Sequence, residues 1–348
     1  MTDGALNMNF KRYFVAFSIA IVIAISAYFF INSGPTAVDG NPSELSKINL
    51  RLKWLWYSGW AGELLAESEN RWTDNGLTVS ISPGGFEIDP IKLVVSGSDQ
   101  IGIAGADQIL FARKNGVPLV AFAVQYQKSP VGFVSMVGSG IKAIEDFKGK
   151  NIGVKYGTDV EPIYRALLNK AGLSKSDVNE IPVKFDLTSF FSGSIDVYPG
   201  YLTNDLLLPK EKGYDVNTIS APDSGLSVYG NVYFCREDFY KNNKRALVSF
   251  LRIIKSSWIK ALEGDLNVIV ELAIKKNDGL NMDHEIRVVQ SLNEFIFGED
   301  TAKFGSMTND GWENLYTILR DQNVIESDFD YKSAYTLEII EHLNNERK

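Results

Sequence analysis

From Ile48 onward, short apolar runs of strand length alternate with amphipathic stretches of helical period, and the alternation restarts after Gly138-Ser139-Gly140. Such a chain is confined to α/β architectures, here with mostly parallel sheets and helices on both faces. The first series places strands at 50–55, 77–81, 101–104, 119–126 and 133–137. The second places them at 151–155, 183–186, 195–198 and 216–219, with a helical turn at 144–147 and a further strand at 229–235. Beyond that the periodicity is helical, over 244–263, 267–275, 284–297 and 333–345. An all-helical tail must bury its apolar face on something already built. The economical path leaves a first unit near 129–133, builds a second, and returns near 225–230 to finish the first. It predicts lobe 1 at 48–132 plus 226–348 and lobe 2 at 133–225, with the ligand in the cleft at the hinge between them.

The run Asp146-Phe-Lys-Gly-Lys-Asn-Ile-Gly-Val-Lys-Tyr-Gly-Thr-Asp-Val-Glu161 marks one wall of that cleft. It reads as a strand over 151–155, a tight turn at Gly157, and Thr158 as N-cap of a helix reaching Ala171. Helix N-termini after parallel strands present free N–H groups at the carboxyl edge of a sheet, where ligands bind. Asp159 and Glu161 fall in the first turn, where the helix dipole stabilises carboxylates. They supply acceptors for an amino group or a cation and argue against an anion, unless both merely decorate the helix start.

The chain has 348 residues and a net charge of −8, with 43 acidic against 35 basic residues and no basic block. Nucleic acid is excluded as a partner, because phosphate binding needs concentrated positive charge. A lone Cys235 excludes a disulfide framework and multi-cysteine metal sites. His284 and His342, each flanked by acids in helical pattern, read as surface helix residues rather than metal ligands or catalytic bases. Lys11 and Arg12 precede an uncharged run at 14–31, which at about 18 residues is just long enough to span a bilayer. The reading is a cytoplasmic 1–13, a signal anchor or cleaved signal peptide at 14–31, a linker at 32–47, and everything beyond outside the membrane.

From Leu50 to Glu263 the order of motifs resembles the solute-binding proteins of ABC importers for thiamine pyrimidine precursors, alkanesulfonates and nitrate. The fungal pyrimidine synthases of thiamine biosynthesis belong to the same group. Trp54 ends the first strand; Ala66, Gly76-Leu-Thr-Val79 and Pro83-Gly-Gly85 follow; Gly97-x-Asp99 with Gly102, Ala112-Arg113 and Gly116-x-Pro118-Leu-Val continue the match. Asp146-Phe-Lys-Gly-Lys-x-Ile-Gly-Val, Gly157-Thr158 and Gly193-x-Ile-Asp196 complete it in the second unit. The resemblance implies a type II periplasmic-binding clamshell, its C-terminal helices packed on the first lobe, and a non-enzymatic receptor. That receptor is a monomer delivering a small nitrogen heterocycle to an ABC permease and its ATPase, without cofactor or metal. An alkanesulfonate, taurine or nitrate binder is the alternative, and a membrane-tethered sensor the second. The synthases' cysteine-rich run is missing, since Cys235 stands alone where it would be.

The resemblance also brings the first strand's loop, the Gly157-Thr158 helix start and the segment from Tyr201 to Asp205 to a common cleft. Trp54, Trp56, Tyr57 and Trp60 crowd that loop, where flat faces can stack a ring or a cation. Trp56 and Trp60 are the favoured partners; Trp60 stands where pyrimidine-binding relatives tend to carry histidine. Asp107 faces the cleft or, more simply, caps the helix beginning there. Tyr201, Asn204 and Asp205 resemble the family's Asn-acid step, and Tyr229 either closes over a ligand or stiffens the hinge.

Overall fold

The computed structural model describes residues 46–298 and 300–345. The membrane segment expected at 14–31, residues 1–13 and the linker up to 45 lie outside the described residues. Among those described, no helix is long and apolar enough to cross a membrane.

Among the described residues, ten strands form two five-stranded sheets. The first contains β1 (Ser46–Arg51), β2 (Leu77–Ser82), β3 (Ile101–Gly105), β4 (Leu119–Val124) and β10 (Asn231–Arg236), in the order β2-β1-β3-β10-β4. The second contains β5 (Val131–Met136), β6 (Asn151–Val154), β7 (Asn179–Pro182), β8 (Val197–Tyr201) and β9 (Val216–Ser220), in the order β7-β6-β8-β5-β9. Both sheets are mixed, which corrects the expectation of mostly parallel sheets: β10 runs antiparallel to β3 and β4, and β5 antiparallel to β8 and β9. These two are the first strands the chain lays down after passing from one sheet to the other, so each enters its sheet against the prevailing direction. The remaining strands of each sheet run one way, joined by helical crossovers. We call the halves built on the two sheets the first and second lobes.

Two connecting segments join the lobes side by side. Gly230 N donates to Tyr126 O at 3.0 Å and Ser129 N to Val228 O at 2.8 Å, so the crossings form a hydrogen-bonded pair rather than two loose linkers.

On the first lobe, the Ala61–Ser68 helix packs against the long Lys244–Glu263 helix. Gly62 permits the close approach, because a Cβ there would meet the Trp258 ring at 2.2 Å. The helices Leu266–Lys276, Met282–Ile296 and Glu338–Asn345 complete this layer and join one core with β1–β4 and β10. The 333–345 helix of the sequence reading divides into a short turn, Tyr331–Ala334, and the Glu338–Asn345 helix. An unanticipated helix, Asn309–Asp321, buries Trp312, Leu315, Tyr316 and Leu319.

Candidate ligand-binding cleft

In each sheet the strand order reverses at one point, around β1 in the first and β6 in the second, and such switch points open a crevice at the carboxyl ends of the strands. The two crevices face one another. Lys53 follows β1, Asp107 follows β3, Lys155 and Asp159 follow β6, and Tyr201 ends β8. Asn231 opens β10, whose reversed direction brings its amino end to the same edge. All six line one cleft of about 1840 Å³.

At its centre Lys53 Nζ lies 2.9 Å from Asp159 Oδ2 and donates to Tyr201 Oη at 2.8 Å and to Asn231 Oδ1 at 3.1 Å. Tyr201 in turn donates to the Asp159 carboxylate. Burial pushes the Asp159 carboxyl up, but the Lys53 ammonium and the Tyr201 hydroxyl outweigh it, and the group sits below its ordinary value. Asp107 responds in the opposite direction: burial and the neighbouring Asp159 charge raise it to about 7 against the opposing pull of Lys53. Near neutrality it can therefore donate as an acid or accept as a carboxylate. Lys155 pairs with Asp205, which also accepts from Tyr201 N at 2.6 Å.

Beneath this layer Asn231 Nδ2 donates to Gln125 Oε1 at 3.2 Å, and Gln125 Nε2 to Glu63 Oε1 at 3.3 Å. Tyr233 also donates to Glu63, and Trp258 Nε1 to Tyr233 Oη at 3.3 Å. Glu63 is fully buried and burial raises its carboxyl to about 7. An interior hydrogen-bond chain thus holds Asn231, and through it Lys53, in place.

An aromatic wall stands beside the polar centre. Trp54 meets Phe86 of its own lobe and Phe185 of the second, each at 4.7 Å between ring centroids. Phe86 and Phe185 are 69% and 45% exposed, so flat apolar surface is presented to the cleft.

Of the aromatic loop, Trp54 lines the cleft. Trp60 touches it but is 1% exposed, its Nε1 donating to Leu55 O at 3.0 Å, so the ring serves the core. Trp56 is buried outside the cleft lining, beneath Lys276 Nζ at 5.0 Å. Preference for Trp56 and Trp60 over Trp54 is thus reversed in the fold, because the loop turns inward after Leu55.

Asp107 is not a cap: Gly105 is the N-cap of the Ala106–Lys114 helix, and Gln108 Oε1 accepts from Gly105 N at 3.0 Å. Gly157 has φ +74°, as a tight turn requires. The helix after it is Val160–Lys170, with Asp159 at the N-cap, although Thr158 Oγ1 still accepts from Val160 N at 3.3 Å. Glu161 accepts from Gly157 N at 2.9 Å and pairs with Arg165 at 3.3 Å. Its charge is therefore already answered, as is that of Asp159, and the sequence argument against anions loses its force. Asn204 and Asp205 line the cleft flank. Tyr229 lies behind it: its hydroxyl accepts from Thr308 N at 3.0 Å and ties the hinge to the Asn309–Asp321 helix.

Lys53, Phe86, Lys155, Phe185 and Asn231 were missed. Lys53 and Lys155 carried a signal, a lysine inside or at the last position of an expected strand. Phe86 sits in a loop that carries no periodicity, and Phe185, inside the strand expected at 183–186, lies in the loop beyond the end of β7 at Pro182.

A family model described as NMT1/THI5 like matches residues 58–264. The chain belongs to that family. It is 22% identical over 326 residues to the formylaminopyrimidine-binding protein of Halalkalibacterium halodurans, covering 92% of this chain and 98% of that protein. Identity is also 22% to the riboflavin-binding protein RibY of Chloroflexus aurantiacus, over 88% of this chain and 90% of that one. Among solved structures, the periplasmic aliphatic sulphonate binding protein SsuA of Escherichia coli superposes with a TM-score of 0.66 over 83% of this chain and 91% of its own, at 15% identity. The fold is that of the two-lobed periplasmic binding proteins. The family match ends before the Met282–Ile296 helix.

Proposed function

We propose that this chain is the extracytoplasmic solute-binding component of an ABC-type importer and holds a small nitrogen heterocycle in its cleft. The observation that carries the reading is the convergence of Lys53, Asp107, Asp159, Tyr201 and Asn231, contributed by both switch points, beside the Trp54–Phe86–Phe185 wall. A heteroaromatic ring stacks on the wall while its ring nitrogens and exocyclic groups exchange hydrogen bonds with a mixed set of donors and acceptors. The names of the formylaminopyrimidine- and riboflavin-binding relatives support this class of ligand. We read the cleft as a receptor site rather than a catalytic one. Cys235 is buried with its thiol pushed far up by desolvation, which leaves it unreactive, and neither histidine is among the residues lining the cleft. The loaded protein, held at the membrane by its N-terminal segment or released from it, passes its ligand as a monomer to the permease and ATPase.

A second reading, an alkanesulfonate or nitrate receptor, is favoured by the Lys53, Lys155 and Arg165 side chains in the same lining. Thermal denaturation with formylaminopyrimidine, riboflavin, taurine, alkanesulfonates and nitrate separates the two. A heterocycle should raise the melting temperature, and the rise should shrink in Asp107→Asn and Trp54→Ala. A rise with the anions alone transfers the protein to the second reading.

A further inference from the structure

His284 opens the Met282–Ile296 helix of the first lobe, yet its ring reaches the second. Nδ1 lies 2.9 Å and 3.1 Å from the two carboxylate oxygens of Glu211, and Nε2 lies 3.1 Å from Asn204 Oδ1. Glu211 ends the Leu208–Glu211 helix and Asn204 precedes it, both between β8 and β9. The side chains of His284 and Glu211 are only 12% and 15% exposed. The adjacent Glu285 is fixed in the core, accepting from Ser58 N at 2.7 Å and from its hydroxyl, so the helix start is anchored to the loop that carries Trp54.

We infer that His284, Glu211 and Asn204 form a proton-dependent clasp that holds the lobes closed at the flank of the cleft. Both ring nitrogens face acceptor oxygens, and only the imidazolium donates from both at once. A neutral ring can keep its Nδ1–H bond to Glu211 and accept at Nε2 from a turned Asn204 amide, but it loses the ionic attraction to Glu211. Glu211 from the second lobe faces the ring, with Arg287 on its own helix beside that carboxylate; Asp283 and Glu285 are its chain neighbours, Asp205 is the chain neighbour of Asn204, and Tyr57 of the packed loop interacts with Glu285 and Asp205. Asp205 is paired with Lys155 and Glu285 with Ser58, while Arg287 stands 3.9 Å from Glu211 and shares that carboxylate. Raising the pH therefore loosens the clasp, and Asn204 acts in closure rather than by touching the ligand.

The test requires no ligand, so it stands apart from the reading of what the cleft binds. Spin labels are placed on full-length protein at Val137→Cys and Val268→Cys, both exposed, while the native Cys235 is buried and escapes labelling. Inter-lobe distances are then measured by pulsed electron resonance at about pH 5.5 and about pH 8, a window in which imidazoles titrate. The open population should grow about threefold or more at the higher pH, and be large and pH-independent in His284→Gln. Glu211→Gln, which alters the other lobe, should reproduce that result, and His342→Gln, at an exposed histidine of the Glu338–Asn345 helix outside the cleft lining, should retain the wild-type response. Distances that do not change with pH in the wild type, or a response that survives His284→Gln, would overturn the clasp.

Discussion

Trp54 and Trp60 stand six positions apart in one loop and do different work, which substitution resolves. Trp60→Ala removes a ring that is 1% exposed and should cost about 3–5 kcal/mol in urea denaturation. Trp54→Ala, at the half-buried cleft wall, should cost about 1 kcal/mol or less in the same assay while weakening ligand binding roughly tenfold by calorimetry. Glu63 gives a pH prediction. Its folded-state value of about 7 lies above the ordinary one, so between the two the folded protein keeps a proton that the unfolded chain has released. Stability from this group therefore falls as pH rises toward 7. Glu63→Gln should gain roughly 1–3 kcal/mol over wild type near pH 8 and little near pH 4.5, read from denaturation midpoints at both. A gain equal at both would contradict the assignment. At this scale the sequence revealed which residues were unusual, the crowded tryptophans and the acids after Gly157, but not their directions. Orientation depends on where the loop turns, and the answering charges, Lys53 for Asp159 and Arg165 for Glu161, become neighbours only through tertiary pairing or helix register.

Among elements, the Met282–Ile296 helix shows how a scaffold segment sets the binding loop. Glu285→Ala leaves Ser58 N–H buried without its carboxylate acceptor, while the Ser58 hydroxyl keeps only the residue-285 carbonyl at 3.0 Å, and should destabilise by about 1–3 kcal/mol, with faster hydrogen exchange in the Trp54–Trp60 loop than elsewhere. Uniform acceleration across the chain would deny the loop its specific tether. The long elements were legible: the Lys244–Glu263 helix matches its expected bounds because a wide apolar stripe repeats over five turns. Weaker signals shifted or vanished. The strand expected at 183–186 is β7 at Asn179–Pro182, an edge strand with no fully buried residue and hence little alternation to read. The first strand ends at Arg51 rather than 55, because Trp54 and its neighbours extend the apolar run beyond the point where pairing with β2 ends. In the Asn309–Asp321 helix, Asn309, Gly311 and Asn314 dilute a stripe that is otherwise regularly spaced.

At the scale of the whole molecule, one polypeptide makes two sheets whose switch points oppose each other, and function rests on that opposition. The restarted strand–helix grammar announced two sheets; the reversed strands β5 and β10 escaped because direction leaves no mark on hydrophobic period. Contacts such as Lys53 with Asp159 and Trp54 with Phe185 join the lobes, so a ligand seated among them should favour closure and gain affinity from it. The central claim is that the cleft receives a nitrogen heterocycle through this convergence. The most direct measurement is a calorimetric titration of the full chain with formylaminopyrimidine, repeated on Lys53→Met and Asp107→Asn. The account predicts saturable one-to-one binding that both substitutions weaken by roughly tenfold or more. No binding of formylaminopyrimidine alongside saturable binding of taurine, or heterocycle binding untouched by either substitution, would contradict it.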